Sequence, residues 1–176
     1  MSYPPPPISE FSGLVAVVTG GGTGMGRALV RQLAAAGAHV AMCDVSADHM
    51  DETAALAVAD APDGIDLTMF VADVSDEHAM HRFAAHVRDR FDTEAVHLLF
   101  NNAGIGGGGS LVNGDREEWD HVFAVCFGGV LNGMRAFLPM LLAADRGHVV
   151  NTSSVNGMWA CLGPTGAHTA YSAAKF

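Results

Sequence analysis

The chain has 176 residues, 49% hydrophobic and 16% charged, a balance that suits one packed domain and excludes disorder over most of its length. Its 19 acidic residues against 9 lysines and arginines give a formal net charge of −10. That excludes a nucleic-acid footprint or docking on an anionic membrane, since both need clustered cations. No apolar run of about 18 residues occurs, so no bilayer span is expected.

Residues 1–10 contain Pro4 to Pro7 and lack the basic-then-apolar pattern of a signal peptide. They read as a polyproline-like tail ahead of a domain over residues 11–176. Five apolar runs of strand length follow: Leu14–Thr19, His39–Asp44, Leu67–Asp73, Val96–Asn101 and His148–Thr152. Near-continuous apolar residues without alternation suit strands covered on both faces. Helical spacing appears in Gly24–Ala36, Ala47–Asp60, Asp76–Phe91 and a long stretch from about Asp115 to Ala144. Strand and helix alternating at this pitch predict βαβ units, a parallel sheet and helices on both faces. The class is therefore α/β, a doubly wound three-layer α/β/α domain. Gly106 to Gly109 reads as a flexible loop after the fourth strand.

Cys43, Cys126 and Cys161 are odd in number and widely spaced. They form neither a disulfide framework nor a CxxC site, which suggests a reducing, cytoplasmic setting. His78, His81 and His86 invite a metal reading. However, Met80, Phe83, Ala84, Val87 and Phe91 form one helical stripe, leaving the histidines mostly on the opposite, solvated face. No metal site is read from them.

The first strand runs into Thr19-Gly20-Gly21-Gly22-Thr23-Gly24-Met25-Gly26 and then an Ala-rich helix. Glycines there permit a tight turn and close backbone approach to a pyrophosphate, and the helix N-terminus supplies unpaired N–H groups and a positive dipole. A bare structural turn is the alternative. No Gly-Lys-Ser/Thr is present, so this is not a triphosphate loop. Asp44 ends the second strand, where a carboxylate accepts hydrogen bonds from ribose hydroxyls and repels a 2′-phosphate. Neither Cys43 nor Val45 is basic, which favours NAD over NADP. A helix N-cap role for Asp44 is better served by Ser46.

Together with Asn101-Asn102-Ala103-Gly104 and Tyr171-Ser172-Ala173-Ala174-Lys175, this loop resembles the short-chain dehydrogenase/reductase family, from about Phe11 onward. The resemblance implies a Rossmann-like fold binding a nicotinamide cofactor. It places Gly20, Gly24 and Gly26 at the pyrophosphate, Thr19 and Met25 also at the cofactor, Asp44 at the ribose, and Asp73 and Val74 at the adenine, with Asn101 to Gly104 bracing the sheet beside the cofactor and Asn101, Ala103 and Gly104 counted among its binding residues. Tyr171 and Lys175 stand four residues apart on one helix face. An ammonium so close favours the phenolate, which lets the tyrosine act as general acid and base, while Lys175 would also hold the nicotinamide ribose. Ser154, after the fifth strand, would polarise the substrate carbonyl. The resemblance thus implies a hydride transfer between NAD and a small secondary alcohol or ketone, in an enzyme that is a homo-oligomer when full length.

Three features depart from the family pattern. Ser154 and Tyr171 are 17 residues apart, wider than usual, and the segment Met158–Thr169 between them should border the substrate pocket. Within it Trp159 is either an apolar wall or a packed loop aromatic. The family's relay asparagine falls at Cys126, and a thiol is a poor substitute for an amide. Finally, the chain stops at Phe176, just past Lys175, so by resemblance the last strands are absent. On that expectation the fifth strand is an open edge, the chain is aggregation-prone and inactive, and Val125, Val130 and Phe137 lose the helix they would pack on. A non-catalytic dinucleotide-binding fragment or pseudo-enzyme is the alternative reading. A sugar-nucleotide epimerase fits the glycine spacing less well.

Overall fold

Along β1 (Val15–Thr19) Val15 and Val17 feed one half of the core, and Ala16 and Val18 feed the other. In the computed structural model, which describes residues 10–112, 114–159 and 167–176, the proline run, Cys161 and Pro164 lie outside the described residues. β1 is followed by α1 (Gly24–Ala35), β2 (His39–Asp44), α2 (Ala47–Asp60), β3 (Leu67–Val71), α3 (Glu77–Phe91) and β4 (Leu98–Asn101). Then come α4 (Arg116–Phe123), α5 (Gly129–Ala143), β5 (His148–Asn151) and α6 (Thr169–Lys175).

The five strands are all parallel, in the order β3-β2-β1-β4-β5. This is the doubly wound arrangement the sequence predicts, and the order reverses at β1, which pairs with both β2 and β4. Crevices in such sheets open at the carboxyl ends of the strands where the winding reverses. One face carries α1 and α2, where Val30, Leu33 and Met50 close over Ala16, Val18, Val40 and Met42. The other carries α3 and α5, where Phe83, Val87 and Phe137 close over Val17, Ala41 and Leu99. Phe83 is fully buried, stacked on Phe70 and edge-on to Phe137; burying such a ring contributes about 1.5–3 kcal/mol.

Short polar side chains start the helices. Ser46 Oγ accepts from His49 N at the head of α2, while Asp76 and Asp115 accept from His78 N and Glu117 N at α3 and α4. Ser46 is thus the N-cap of α2, which leaves Asp44 outside that role. His78 and His81 are exposed as the stripe on α3 implies, but His86 turns inward and hydrogen-bonds Thr68 Oγ1 at 2.8 Å.

The long helix expected from Asp115 onward is not uniform. A π turn over Ala124–Gly128 separates α4 from α5, with Gly129 N reaching back to Ala124 O. Such one-turn widenings insert a residue and rotate the side chains around them. Val125 and Phe137 accordingly face the sheet, and it is Val122 and Cys126 that meet Ala170 of α6. The span Arg116–Ala143 has 28 residues and is long and apolar enough to cross a membrane, yet half of its most apolar window is buried within the domain.

Cys43 is completely buried on β2, and burial pushes its thiol from an ordinary 9.0 up to about 12. Two measurable results are expected. Cys43 should be silent toward disulfide reagents at pH 8 in the folded chain, since only the thiolate attacks, and should react once denaturant is added. Because the unfolded thiol ionises first, its contribution to stability is intact below pH 9 and falls between pH 9 and about 12. Denaturant melts across that range read it directly.

Candidate functional site: a glycine-loop cleft and an adjoining Ser-Tyr-Lys cluster

At the carboxyl ends of β1, β2 and β4 a cleft of about 450 Å³ opens. Gly20, Gly24, Met25 and Gly26 line it from the glycine loop, Asp44, Asp73 and Val74 from the β2 and β3 ends, and Ala103 and Gly104 from beyond β4. Gly20 holds φ +67°, and its Cα faces Ala103 Cα so closely that an added Cβ would stand 2.9 Å away. Gly26 is tighter. A Cβ there would run into the Gly20 carbonyl and stand 2.8 Å from Asn102 Nδ2. These two glycines let the loop fold back over the first turn of α1.

That first turn has no acidic residue, and the Thr23 hydroxyl at its N-cap makes no capping bond. The leading N–H groups of α1 therefore face the cleft without an internal partner, which suits a bridging diphosphate. The Asp44 carboxylate is half-exposed at the other end, with Oδ2 accepting from Gly22 N at 3.0 Å and Oδ1 from Ser46 N at 3.1 Å. Ala72 and Val74 form an apolar wall next to it, of the kind a nucleobase needs. The residues present thus fit a dinucleotide.

Two residues expected at the cofactor stand behind the cleft instead. Thr19 is buried, its Oγ1 accepting from Asn102 N and Ala103 N at 3.0 Å each, so it braces β4 against β1. Asn101 is buried too, donating from Nδ2 to Asn151 Oδ1 at 2.9 Å, with its Oδ1 against Gly133. The strand alternation that turns Asn101 inward turns Asn102 toward the cleft. Thr23, Asn102 and His121 line the cleft and were not among the residues singled out from sequence. Thr23 lies inside the glycine motif and Asn102 beside Asn101, so both were within reach. Nothing in the sequence marks His121, whose place depends on how α4 crosses the sheet.

The proposed chemistry sits on the far side of Gly104. Lys175 is buried in α6, its Nζ donating to Thr152 O at 2.7 Å and lying 5.8 Å from the centroid of the Tyr171 ring. Lys175 Nζ and Cys126 Sγ each stand 3.6 Å from where a Gly104 side chain would be. Gly104 thus lies between the cleft, which it lines, and the Lys175 and Cys126 side chains. Cys126 Sγ donates to Ile105 O at 3.3 Å, so the thiol ties the π turn to the segment after β4. Ser153 Oγ donates to Lys175 O at 3.2 Å, and Ser154 Oγ accepts from Asn156 N at 3.2 Å, capping a 3-10 turn at Val155–Gly157. Among the described residues the Ser154 hydroxyl donates to no acceptor. Trp159 is 81% exposed and so is not a packed loop aromatic.

The family model described as short chain dehydrogenase matches residues 14–176. The chain belongs to that family. Its similarity extends to the SadH protein of Mycobacterium tuberculosis, 39% identical over 169 residues, which cover 96% of this chain and 58% of that protein. Among solved structures, a short-chain dehydrogenase/reductase from Burkholderia phymatum in complex with NAD superposes with a TM-score of 0.84 at 36% identity, covering 96% of this chain and 57% of the other. A metagenomic short-chain oxidoreductase in complex with NADP gives 0.81 at 34% identity, covering 95% and 72%. The chain spans 58% of the length of the SadH relative.

Proposed function

We propose that the protein is an NAD-dependent oxidoreductase that moves a hydride between the cofactor and a small secondary alcohol or ketone. The carrying observation is the buried Lys175 ammonium, held beside the Tyr171 ring and one glycine away from the dinucleotide-shaped cleft. A buried charge is costly to maintain, and here the Thr152 carbonyl holds it in place. When bound, the nicotinamide supplies or takes the hydride. Tyr171 takes the alcohol proton in oxidation and returns it in reduction; Lys175, with its Nζ 5.8 Å from the centroid of the Tyr171 ring, holds the nicotinamide ribose. Ser154 donates its hydroxyl proton to the substrate oxygen. Gly20, Gly24, Met25, Gly26 and the head of α1 hold the diphosphate, while behind them Thr19 ties β1 to β4 and Asn101 ties β4 to β5. Asp73 and Val74 border the adenine, Ala103 and Gly104 the rest of the cofactor.

Asp44 selects the cofactor in this reading. No lysine or arginine lines the cleft among the described residues, so a 2′-phosphate would meet a carboxylate and no cation. Fluorescence titration should give a tighter Kd for NADH than for NADPH, and Asp44→Ala should narrow the gap by about tenfold, chiefly through weaker NADH binding. A tighter fit for NADPH in the unaltered protein would overturn the assignment. The working protein is a cytoplasmic homo-oligomer: its two described cysteines are free thiols, and Phe127, Leu131, Leu138 and Leu142 leave an apolar stripe exposed on the long helix. Oxidation of a panel of secondary alcohols with NAD tests the activity.

A further inference from the structure

Neither Gly22 nor the Arg27 and Thr53 side chains that hold its carbonyl line the cleft, yet that residue is gripped from three elements. Its carbonyl accepts from Arg27 Nε at 3.0 Å and Nη2 at 2.7 Å, both from α1, and from the Thr53 hydroxyl of α2 at 3.0 Å, whose one proton is shared with His49 O at 3.0 Å. Its N–H donates to Asp44 Oδ2 at 3.0 Å. Thr53 is fully buried, and Arg27 is itself fixed by Glu52 at 2.9 Å and by Thr53 Oγ1 at 3.0 Å. A Cβ on Gly22 would stand 2.9 Å from Asp44 Oδ2, so the loop backbone lies directly against the carboxylate.

The N–H and C=O of Gly22 belong to the two peptide planes that meet at its Cα. Glycine leaves both dihedrals there nearly free, so the grip on the carbonyl acts by pinning the shared Cα, the point from which the N–H reaches Asp44. The hydroxyl and the guanidinium remove that freedom. With Oδ1 taken by Ser46 N, the carboxylate is then locked in one plane.

We propose that Thr53 and Arg27 are positioning residues for cofactor discrimination. By clamping the Gly22 carbonyl they fix the N–H that orients Asp44, and so set the preference for an unphosphorylated over a 2′-phosphorylated adenosine ribose. The proposal rests on the reading of Asp44 as the ribose acceptor. It adds that two residues not in the cleft wall govern how well Asp44 does this.

The test is a set of fluorescence titrations of the chain with NADH and NADPH, each variant accompanied by a thermal melt. Thr53→Val keeps the shape and removes the hydroxyl; it should weaken NADH binding about fivefold and leave NADPH binding within about twofold, because only the ribose hydroxyls depend on a well-aimed carboxylate. Thr53→Ser restores the hydroxyl and should restore the NADH affinity. Arg27→Lys, at a partly exposed position that keeps a cation near Glu52, should shift the ratio in the same direction even where Thr53→Val lowers stability too far to titrate. A purely structural role predicts a lower melting temperature with both affinities falling together, and that result overturns the proposal. So does an unchanged NADH-to-NADPH ratio in Thr53→Val and Arg27→Lys while Asp44→Ala collapses it. If Asp44→Ala leaves the ratio untouched, the reading of Asp44 falls, and this inference with it.

Discussion

Replacing Tyr171 by phenylalanine should lower turnover of a secondary alcohol by at least about 100-fold in an active preparation of the protein, because general acid–base catalysis contributes roughly 10²–10⁴-fold. NADH affinity should change by less than about twofold, since only the proton-transfer group is lost. The substitution keeps the ring that packs with Val122, Cys126 and Ala170, so α6 should stay docked and the melting temperature nearly constant. Measuring kcat, the NADH Kd and a thermal melt on one sample separates the outcomes. More than a tenth of the original turnover would remove Tyr171 from the mechanism. Loss of NADH binding would mean that the hydroxyl, and not only the ring, supports the cofactor.

The second large effect is expected at Gly26, where one methyl group should abolish cofactor binding without touching the cofactor. In Gly26→Ala the new Cβ collides with the Gly20 carbonyl and stands 2.8 Å from Asn102 Nδ2. Backbone must give way, because neither contact is the flexible end of a long side chain. Overpacking of this kind costs about 1–3 kcal/mol in stability. The binding loss should be larger, at least about 100-fold in NADH Kd, because the strand-to-helix loop is displaced from the first turn of α1 and from Asn102, which donates to Thr19 O at 3.0 Å. Titration alongside a melt reads both effects, and an NADH Kd within a few-fold of the original would show that the loop absorbs the methyl group.

How legible the fold was depended on which side chains meet. The glycine loop, Asp44 and the Tyr171–Lys175 pair were readable because each is a local pattern of residue type and spacing next to a predictable strand or helix. The five parallel strands were readable for the same reason, since buried runs of valine, alanine and leucine leave few choices. The ends of elements were less so: β3 stops at Val71, two residues short of the apolar run, because Asp73 Oδ1 accepts from Ser75 N and turns the chain.

The sequence by itself determined the parallel α/β class, the family, and the residues that mark the cleft and the proposed catalytic cluster, because these rest on short-range periodicity and motif chemistry. Tertiary structure alone decided the rest. It put Thr19 and Asn101 behind the cleft and Asn102 and His121 into its wall, because which way a side chain faces is settled by the neighbouring strand or crossing helix. It split the long helix with a π turn, so that Cys126 meets α6 and Ile105 while Phe137 meets the sheet. It also brought Gly22, Arg27, Thr53 and Asp44 together across up to 31 residues of chain. No periodicity encodes a contact between a loop carbonyl and a threonine on the next helix; only the packing of α1 against α2 creates it.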